Sequence, residues 1–204
     1  DLVNSVDEKL SLVEDKISYK LDSKVELVKE MTAYHMTSGG KRLRALLTLE
    51  CAKLCGYTKG SRDVNLAACV ELIHAATLMH DDVIDSADLR RGKKTTNKIW
   101  GNQSSILVGD YLLSRCFEMM VEDGSIEVLK LLSSTSSTIA QGEVLQLQHK
   151  GDSEMLEDTY LNIISSKTAA LFSASSKVGS IITDKGNKFK DCLLYTSDAA
   201  DDHH

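Results

Sequence analysis

Three aspartates, Asp81, Asp82 and Asp85, directly follow an apolar stretch, and two arginines, Arg90 and Arg91, come soon after them. On a helix, residues 81 and 85 lie one turn apart, and like charges at that spacing destabilise the helix. The negative end of the helix dipole adds to this cost. Because a bound divalent cation would offset both effects, the pattern predicts a metal site.

The ligand types in this stretch favour magnesium. Carboxylates without a nearby pattern of histidine and cysteine ligands suit Mg²⁺, which takes one or two carboxylates and completes its shell with water and substrate phosphates. Arg90 and Arg91 suit the same ligand, since guanidinium groups bind phosphate oxygens in pairs. The alternative is a solvated helix end with a chance acidic run, and these residues alone leave it open.

A second basic cluster lies upstream, in the segment GGKRLR at 39–44. Lys41 and Arg44 are three residues apart, so they share one face of a helix that begins here. We expect unpaired N–H groups at this helix start to form, with the two side chains, a cradle for a phosphate or diphosphate. The spacing is not that of a Walker loop. A solvated basic turn is the alternative.

The elements that must position these groups are predicted to be helical. Apolar residues recur at helical spacing in residues 43–54, 66–79, 106–120, 128–147 and 161–172. No alternating pattern with tight hairpin signals competes, and proline is absent. The sequence therefore predicts an all-α bundle of long helices. Ser61 or Asp63 is predicted to cap the second of them, Asn102 or Ser104 the third, and Ser125 the fourth.

Composition limits the possible functions. The chain of 204 residues has a net charge of −6 and 5% aromatic residues, which argues against nucleic-acid binding. No apolar run reaches the ~18 residues that a membrane span needs. The cysteines lack paired zinc spacing, so we expect reduced, buried thiols and a cytoplasmic location. The five cysteines are Cys51, Cys55, Cys69, Cys116 and Cys192.

Taken together, these segments resemble the trans-isoprenyl diphosphate synthases of the polyprenyl synthetase family, most closely the octaprenyl type. The resemblance covers roughly residues 1–190, and its motifs agree in order and spacing. They are GGKRLRALL at 39–47, ELIHAATLMHDDVIDSADLRRGKKTTN at 71–97, SSILVGDYLLSRCFEMM at 104–120, IAQGEVLQLQ at 139–148 and SKTAALF at 166–172.

The resemblance implies an all-α prenyltransferase with helices around a central cavity, usually a homodimer. The implied reaction condenses an allylic diphosphate, such as farnesyl diphosphate, with isopentenyl diphosphate. Its all-trans polyprenyl product would be delivered to a membrane. Such a reaction separates charge at an allylic carbon, so it needs metal ions and cationic side chains at the leaving diphosphate and an apolar shaft that excludes water.

The resemblance also implies roles for individual residues. Asp81, Asp82 and Asp85 would hold Mg²⁺ against the allylic diphosphate, which Arg90 would also bind. The residues implied for isopentenyl diphosphate are Lys41, Arg44, His74 and Arg91. The allylic side would be lined by Gln146, Lys167 and Thr168, with Lys167 also counted among the catalytic residues. Ala45 stands where the family usually has proline, which would change the helix entry but not a ligand.

Product length is predicted from Ala76 and Thr77, which lie about one turn before Asp81, roughly 6 Å along the helix. In the family the growing chain runs along this face, and bulky aromatic residues there stop it early. Because both residues are small, we expect a medium to long, octaprenyl-like product rather than farnesyl diphosphate.

The chain departs from the family at its end. The resemblance implies a second aspartate-rich motif, late in the chain, that would hold further Mg²⁺ ions. This sequence contains no such motif, and Asp201 and Asp202 lack the context of one. We expect residues 193–204 to be a non-native tail, the chain to be the N-terminal two thirds of a synthase, and its own activity to be impaired.

Three other functions stay open. One is a non-catalytic, synthase-like regulatory subunit. Another is a class I terpene cyclase, against which the GGKRLR segment and the Arg90-Arg91 pair argue, since a cyclase needs no isopentenyl diphosphate site. The third is a helical scaffold with chance acidic clusters.

Overall fold

The structure is a computed structural model, and it describes residues 7–183. The predicted tail at 193–204, with Asp201 and Asp202, lies outside these residues, as does Cys192. Nearly all described elements are helices, which confirms the all-α class. The described chain forms two compact units, residues 7–46 with 64–124 (unit 1) and residues 47–63 with 125–183 (unit 2).

Unit 1 contains the residues that are predicted to bind the metal and isopentenyl diphosphate. Its elements are α1 (Asp7–Lys20), α2 (Glu26–Thr37), the start of α3 (Leu43–Leu54), nearly all of α4 (Arg62–Ile84), β1 (Leu89–Arg90), β2 (Lys93–Lys94), α5 (Thr96–Trp100) and α6 (Asn102–Asp123). The helices predicted at 43–54, 66–79 and 106–120 are confirmed, and the latter two extend a few residues further at both ends. Helices α1, α2 and α5 were not predicted from periodicity.

Helix α4 is the core helix of unit 1. Residues 66–73 are all buried, so it lacks the polar face of a surface helix. Small residues such as Ala67 and Ala68, both fully buried, let neighbouring helices pack closely against it. Packing thus fixes the middle of the helix, which continues into the final turn where Asp81 and Asp82 lie.

A two-stranded antiparallel hairpin follows α4, with strands too short to produce an alternating pattern in the sequence. Leu89 pairs with Lys94 and Arg90 with Lys93. The two turn residues, Arg91 and Gly92, have φ of 52° and 78°, the left-handed pair that suits a two-residue hairpin turn. Arg90 lies on β1, and its side chain reaches back to Asp82 at the end of α4.

Unit 2 contains the predicted allylic residues. Its elements are the rest of α3, α7 (Ile126–Gln148), α8 (Glu157–Ile164), a π-helical turn (Ser165–Ala169) and α9 (Ala170–Ile181). The helix predicted at 128–147 is confirmed, and its predicted cap is too, because Ser125 Oγ accepts a hydrogen bond from Val128 N at 3.3 Å. The cap predicted for α6 at Asn102 or Ser104 is wrong, since Gly101 is the residue that precedes its first turn. The single helix predicted at 161–172 is wrong, since the π-helical turn divides it.

Helix α7 packs against α9 and the π-helical turn. Helix α9 also lies very close to α3, where Gly179 is required. A Cβ atom on Gly179 would meet Ala52 N at 2.6 Å and Thr48 O at 2.7 Å, and neither backbone atom can move away easily.

The cysteines within residues 7–183 are buried thiols that form no disulfide, as expected for Cys51, Cys55, Cys69 and Cys116. Burial raises the pKa of Cys51 to about 11. In the part of the chain that the structure describes, no helix has the length and apolar character needed to span a membrane.

Candidate functional site

Four residues predicted from the sequence line one cavity of about 560 Å³ in unit 1: Lys41, Arg44, His74 and Arg91. They come from the loop before α3, from α3, from α4 and from the hairpin turn. Apolar side chains complete part of the wall, and these are Met36, Leu43, Ala75 and Leu78. The cavity thus combines cationic groups with an apolar surface.

Gly40 allows the hairpin to reach this cavity. A Cβ atom on Gly40 would lie 2.7 Å from Nη1 of Arg91, so any side chain there would displace the guanidinium group. Gly40, the second glycine of the predicted basic segment, therefore makes room for an arginine that lies 51 residues further along the chain.

The prediction that the helix start presents unpaired N–H groups is wrong for Ala45. Its N–H donates to Oε1 of Glu71 at 3.0 Å, and Glu71 is a buried residue of α4. Glu71 Oε2 also lies 3.7 Å from Nη1 of Arg42, whose Nη2 donates to Met36 O at 2.9 Å. Side chains, rather than the N–H of Ala45, therefore supply the anion-binding groups in this cavity.

Two histidines on the cavity wall are uncharged at neutral pH. Burial, helped by Arg44 and Arg91, lowers the pKa of His74 to about 3. Burial also lowers the pKa of His35 to about 4, against the opposing effect of Asp82. Each neutral imidazole can donate one hydrogen bond but adds no positive charge. Sequence reasoning missed His35, because no motif spacing links it to the other residues.

Arginine and lysine therefore carry the positive charge of the cavity. Burial lowers the pKa of Arg44, and the neighbouring carboxylate of Glu71 acts in the opposite direction. Arg42, which sequence reasoning did not single out, lines the same cavity with a backbone φ of 48°.

The three predicted metal ligands lie at the end of α4. Asp81 and Asp82 belong to its last turn, and Asp85 follows it and is exposed. Asp82 is only 2% exposed, and its Oδ1 accepts a hydrogen bond from Nε of Arg90 at 2.8 Å and lies 2.7 Å from Nη2 of the same guanidinium group. The predicted metal ligand Asp82 and the predicted diphosphate ligand Arg90 thus neutralise each other.

Within residues 7–183, no three His, Cys, Asp or Glu side chains are close enough together to hold a metal ion on their own. The three aspartates offer only oxygen donors, as Mg²⁺ prefers, and Mg²⁺ commonly binds through one or two carboxylates plus water and phosphate oxygens. The donor set at the end of α4 therefore fits Mg²⁺ bound together with a diphosphate.

The predicted allylic residues Gln146, Lys167 and Thr168 line a cavity of about 520 Å³ in unit 2. Lys167 Nζ donates to Gln146 Oε1 at 2.6 Å and lies 2.8 Å from Oε2 of Glu143. Sequence reasoning missed Glu143, although its three-residue spacing from Gln146 on one helix face could have indicated it.

Ala76 and Thr77 have different surroundings. Ala76 is 2% exposed, and the Thr77 hydroxyl donates to His74 O at 2.8 Å. Their neighbours Ala75 and Leu78, rather than these two residues, line the cationic cavity. The role of Ala76 and Thr77 in product length stays a prediction.

The chain is similar to curated and solved proteins over most of its length. It is 44% identical over 163 residues to the octaprenyl diphosphate synthase of Escherichia coli (strain K12), covering 80% of this chain and 50% of that protein. The crystal structure of a decaprenyl diphosphate synthase from Rhodobacter capsulatus matches with a TM-score of 0.92 and 44% identity, covering 97% of this chain and 61% of that one.

A polyprenyl synthase from Caulobacter crescentus CB15, complexed with calcium and isoprenyl diphosphate, matches with a TM-score of 0.89 and 41% identity. That match covers 95% of this chain and 60% of the solved one. The chain thus spans about half the length of the Escherichia coli relative and about three fifths of these two structures. The family model for polyprenyl synthetase matches residues 25–199, and the chain therefore belongs to the polyprenyl synthetase family.

Proposed function

We propose that the protein is a prenyltransferase that condenses an allylic diphosphate with isopentenyl diphosphate to an all-trans polyprenyl diphosphate of octaprenyl-like length. The observation that carries this proposal is the convergence of Lys41, Arg44, His74 and Arg91 on one cavity with an apolar wall. The cations suit a diphosphate, and the wall formed in part by Ala75 and Leu78 suits a short hydrocarbon such as the isopentenyl group.

Asp82 and Arg90 are proposed to exchange partners when the allylic substrate binds. In their mutual ion pair, the buried carboxylate of Asp82 is compensated. A diphosphate offers Arg90 new acceptors, which frees Asp82 as an oxygen ligand. When bound by Asp81, Asp82 and Asp85, Mg²⁺ would supply charge neutralisation for the departing diphosphate.

Lys167, Gln146 and Thr168 are proposed to act on the allylic side. The ammonium group of Lys167 can donate to a leaving diphosphate oxygen, while Gln146 and Thr168 line the same cavity. The π-helical turn supports a functional role for this segment, since such turns are frequent at functional sites.

The partner in the assembly is proposed to be a second copy of the chain. Helix α6 carries Leu107, Phe117 and Val121 on one face, and these side chains are 66, 44 and 68% exposed. A helix face of this kind suits burial against an identical helix. The buried, free thiols support a cytoplasmic location, and the apolar polyprenyl product would partition into a membrane.

The activity of the chain by itself is proposed to be impaired. One aspartate-rich motif offers carboxylates for only part of the metal ions that this chemistry uses. We therefore expect the chain to bind isopentenyl diphosphate and farnesyl diphosphate with Mg²⁺ but to transfer little or no prenyl group.

Product analysis tests the proposal. The chain and the full-length product of its gene are each incubated with isopentenyl diphosphate, farnesyl diphosphate and Mg²⁺, and product lengths are measured by mass spectrometry. The full-length protein should give octaprenyl-like diphosphates. Failure of the full-length protein to elongate farnesyl diphosphate would contradict the proposed function, and rapid turnover by the chain alone would contradict the proposed impairment.

Cyclised hydrocarbons from farnesyl diphosphate alone would indicate a terpene cyclase, and a changed product length on mixing with an intact synthase would indicate a regulatory subunit.

A further inference from the structure

We propose that Glu143 is a positioning residue that fixes the ammonium group of Lys167 for the allylic diphosphate. This inference rests on the proposed function, in which Lys167 contacts that diphosphate. It adds a residue that neither the sequence motifs nor the family resemblance singled out.

The backbone places Lys167 directly beside α7. Gly142 makes this possible, because a Cβ atom there would meet Ser166 Cβ at 2.7 Å and Lys167 Cγ at 3.2 Å. The glycine immediately before Glu143 therefore lets the π-helical turn approach α7 at the level of Glu143. The first part of the Lys167 side chain then lies directly against α7.

Two oxygen atoms on one face of α7 hold the end of the lysine. Glu143 and Gln146 are three residues apart, so their side chains are neighbours. Lys167 Nζ lies 2.8 Å from Glu143 Oε2 and 2.6 Å from Gln146 Oε1. The side chains of Lys167 and Glu143 are 18% and 16% exposed, so both are partly shielded from water.

The remaining hydrogen-bonding capacity of Lys167 is directed by these two contacts. An ammonium group has three N–H donors; Lys167 gives one to Gln146, and its ion pair with Glu143 holds Nζ on the same side. A remaining donor can then meet a phosphate oxygen in the cavity that Lys167 lines with Thr168. A lysine side chain is otherwise flexible, so holding Nζ in advance removes an ordering cost from ligand binding.

The negative charge of Glu143 and its positioning of Lys167 would affect diphosphate affinity in opposite directions. If its negative charge merely weakened the attraction of Lys167 for a diphosphate, removing the charge would tighten binding in every variant. If Glu143 holds Nζ in place, removing its oxygen atoms should weaken binding, whereas an amide oxygen at the same point should preserve it. Glu143→Ala and Glu143→Gln therefore separate the two effects.

The experiment measures the dissociation constants of farnesyl diphosphate and of isopentenyl diphosphate, both with Mg²⁺, for the wild-type chain and three variants. Glu143→Ala should weaken farnesyl diphosphate binding roughly three- to tenfold, the factor that corresponds to ordering one flexible side chain. Glu143→Gln should stay within about twofold of the wild type or bind more tightly, because it keeps the acceptor. Glu127→Ala, in the first turn of the same helix and about 24 Å along its axis from Glu143, should match the wild type.

Isopentenyl diphosphate serves as the internal reference, because its proposed residues all lie in unit 1. Its affinity should be the same in all four proteins, which shows that the variants are folded. Unchanged or tighter farnesyl diphosphate binding by Glu143→Ala, or equal losses in Glu143→Ala and Glu143→Gln, would overturn the positioning role and leave the proposed function intact. A wild-type chain that binds neither diphosphate would overturn both.

Discussion

Asp82 and Arg90 illustrate how a binding site can hold its charged residues before a ligand arrives. An isolated carboxylate as buried as that of Asp82 would be costly, and the guanidinium group of Arg90 offsets this cost. The pair also keeps both side chains in place. In the proposed function, a metal–diphosphate complex would replace this ion pair by two new sets of contacts without leaving either charge unpaired.

His74 makes the stability of the protein depend on pH. Its pKa falls from 6.5 in the unfolded chain to about 3 in the folded one, so the unfolded state takes up a proton first as the pH decreases. The free energy of unfolding should therefore decline from pH 6.5 toward pH 3, by up to ~1.4 kcal/mol per pH unit for this group. His35, with a pKa of about 4, acts in the same direction.

Urea unfolding at several pH values between 6.5 and 5 checks this effect. In His74→Gln the non-titrating amide should make the decline with decreasing pH shallower, by roughly half if His35 contributes equally. The same slope in the variant and the wild type would show that His74 is not held neutral by the fold.

Some residues of the candidate site could be predicted from their spacing in the sequence or from the family resemblance, and others could not. Lys41, Arg44, His74 and Arg91 were predicted, because each belongs to a recognisable segment, and the structure brings them to one cavity. Glu71 acts on the start of α3 from a different helix, and such a contact depends on tertiary packing that no local pattern encodes.

At the scale of elements, long helices were predictable and short elements were not. Helices α3, α4, α6 and α7 each repeat an apolar spacing over three or more turns. The hairpin has strands of two residues, which is too short for an alternating pattern to appear. The π-helical turn at Ser165–Ala169 alters the helical period over only five residues, so the apolar positions on both sides still looked like one helix.

Three glycines within helices should differ in their tolerance of alanine. Gly179→Ala should destabilise the protein most, because the new Cβ would meet backbone atoms of α3. Gly142→Ala should cost about 1–3 kcal/mol, since Ser166 and Lys167 must shift. At Gly109 the obstacle is only the end of the His80 side chain, so the gain in helix propensity, ~1 kcal/mol, should offset most of the strain.

Urea unfolding followed by far-ultraviolet circular dichroism ranks the three variants. The expected order of stability is Gly109→Ala, then Gly142→Ala, then Gly179→Ala. A Gly179→Ala variant as stable as the wild type would mean that α3 and α9 do not approach as closely as described.

At the scale of the whole molecule, the proposed function makes the length of the polyprenyl product depend on the face of α4 that carries Ala76. Ala76→Phe in the full-length protein should shift the products toward shorter chains, because an aromatic ring would narrow the proposed shaft. Since Ala76 is 2% exposed, the variant should also lose about 1–3 kcal/mol of stability through overpacking.

Ala75→Phe is the matched control, because Ala75 lines the cationic cavity instead. It should weaken isopentenyl diphosphate binding and leave the length distribution of the remaining products unchanged. Mass spectrometry of the products decides between the two positions. An unchanged distribution of product lengths in Ala76→Phe would show that this helix face does not limit product length.

The cavity lined by Lys41, Arg44, His74 and Arg91 is expected to bind isopentenyl diphosphate, and calorimetric titration tests this binding most directly. The wild-type chain, Arg44→Gln and Lys53→Gln are each titrated, with Lys53 as a basic residue at the exposed end of the same helix α3. Loss of a charge-assisted hydrogen bond should weaken binding in Arg44→Gln roughly 10- to 100-fold. Isopentenyl diphosphate should bind the wild-type chain saturably. Its affinity should fall in Arg44→Gln and stay the same in Lys53→Gln. Absence of binding by the wild type, or equal affinity in Arg44→Gln, would contradict this expectation.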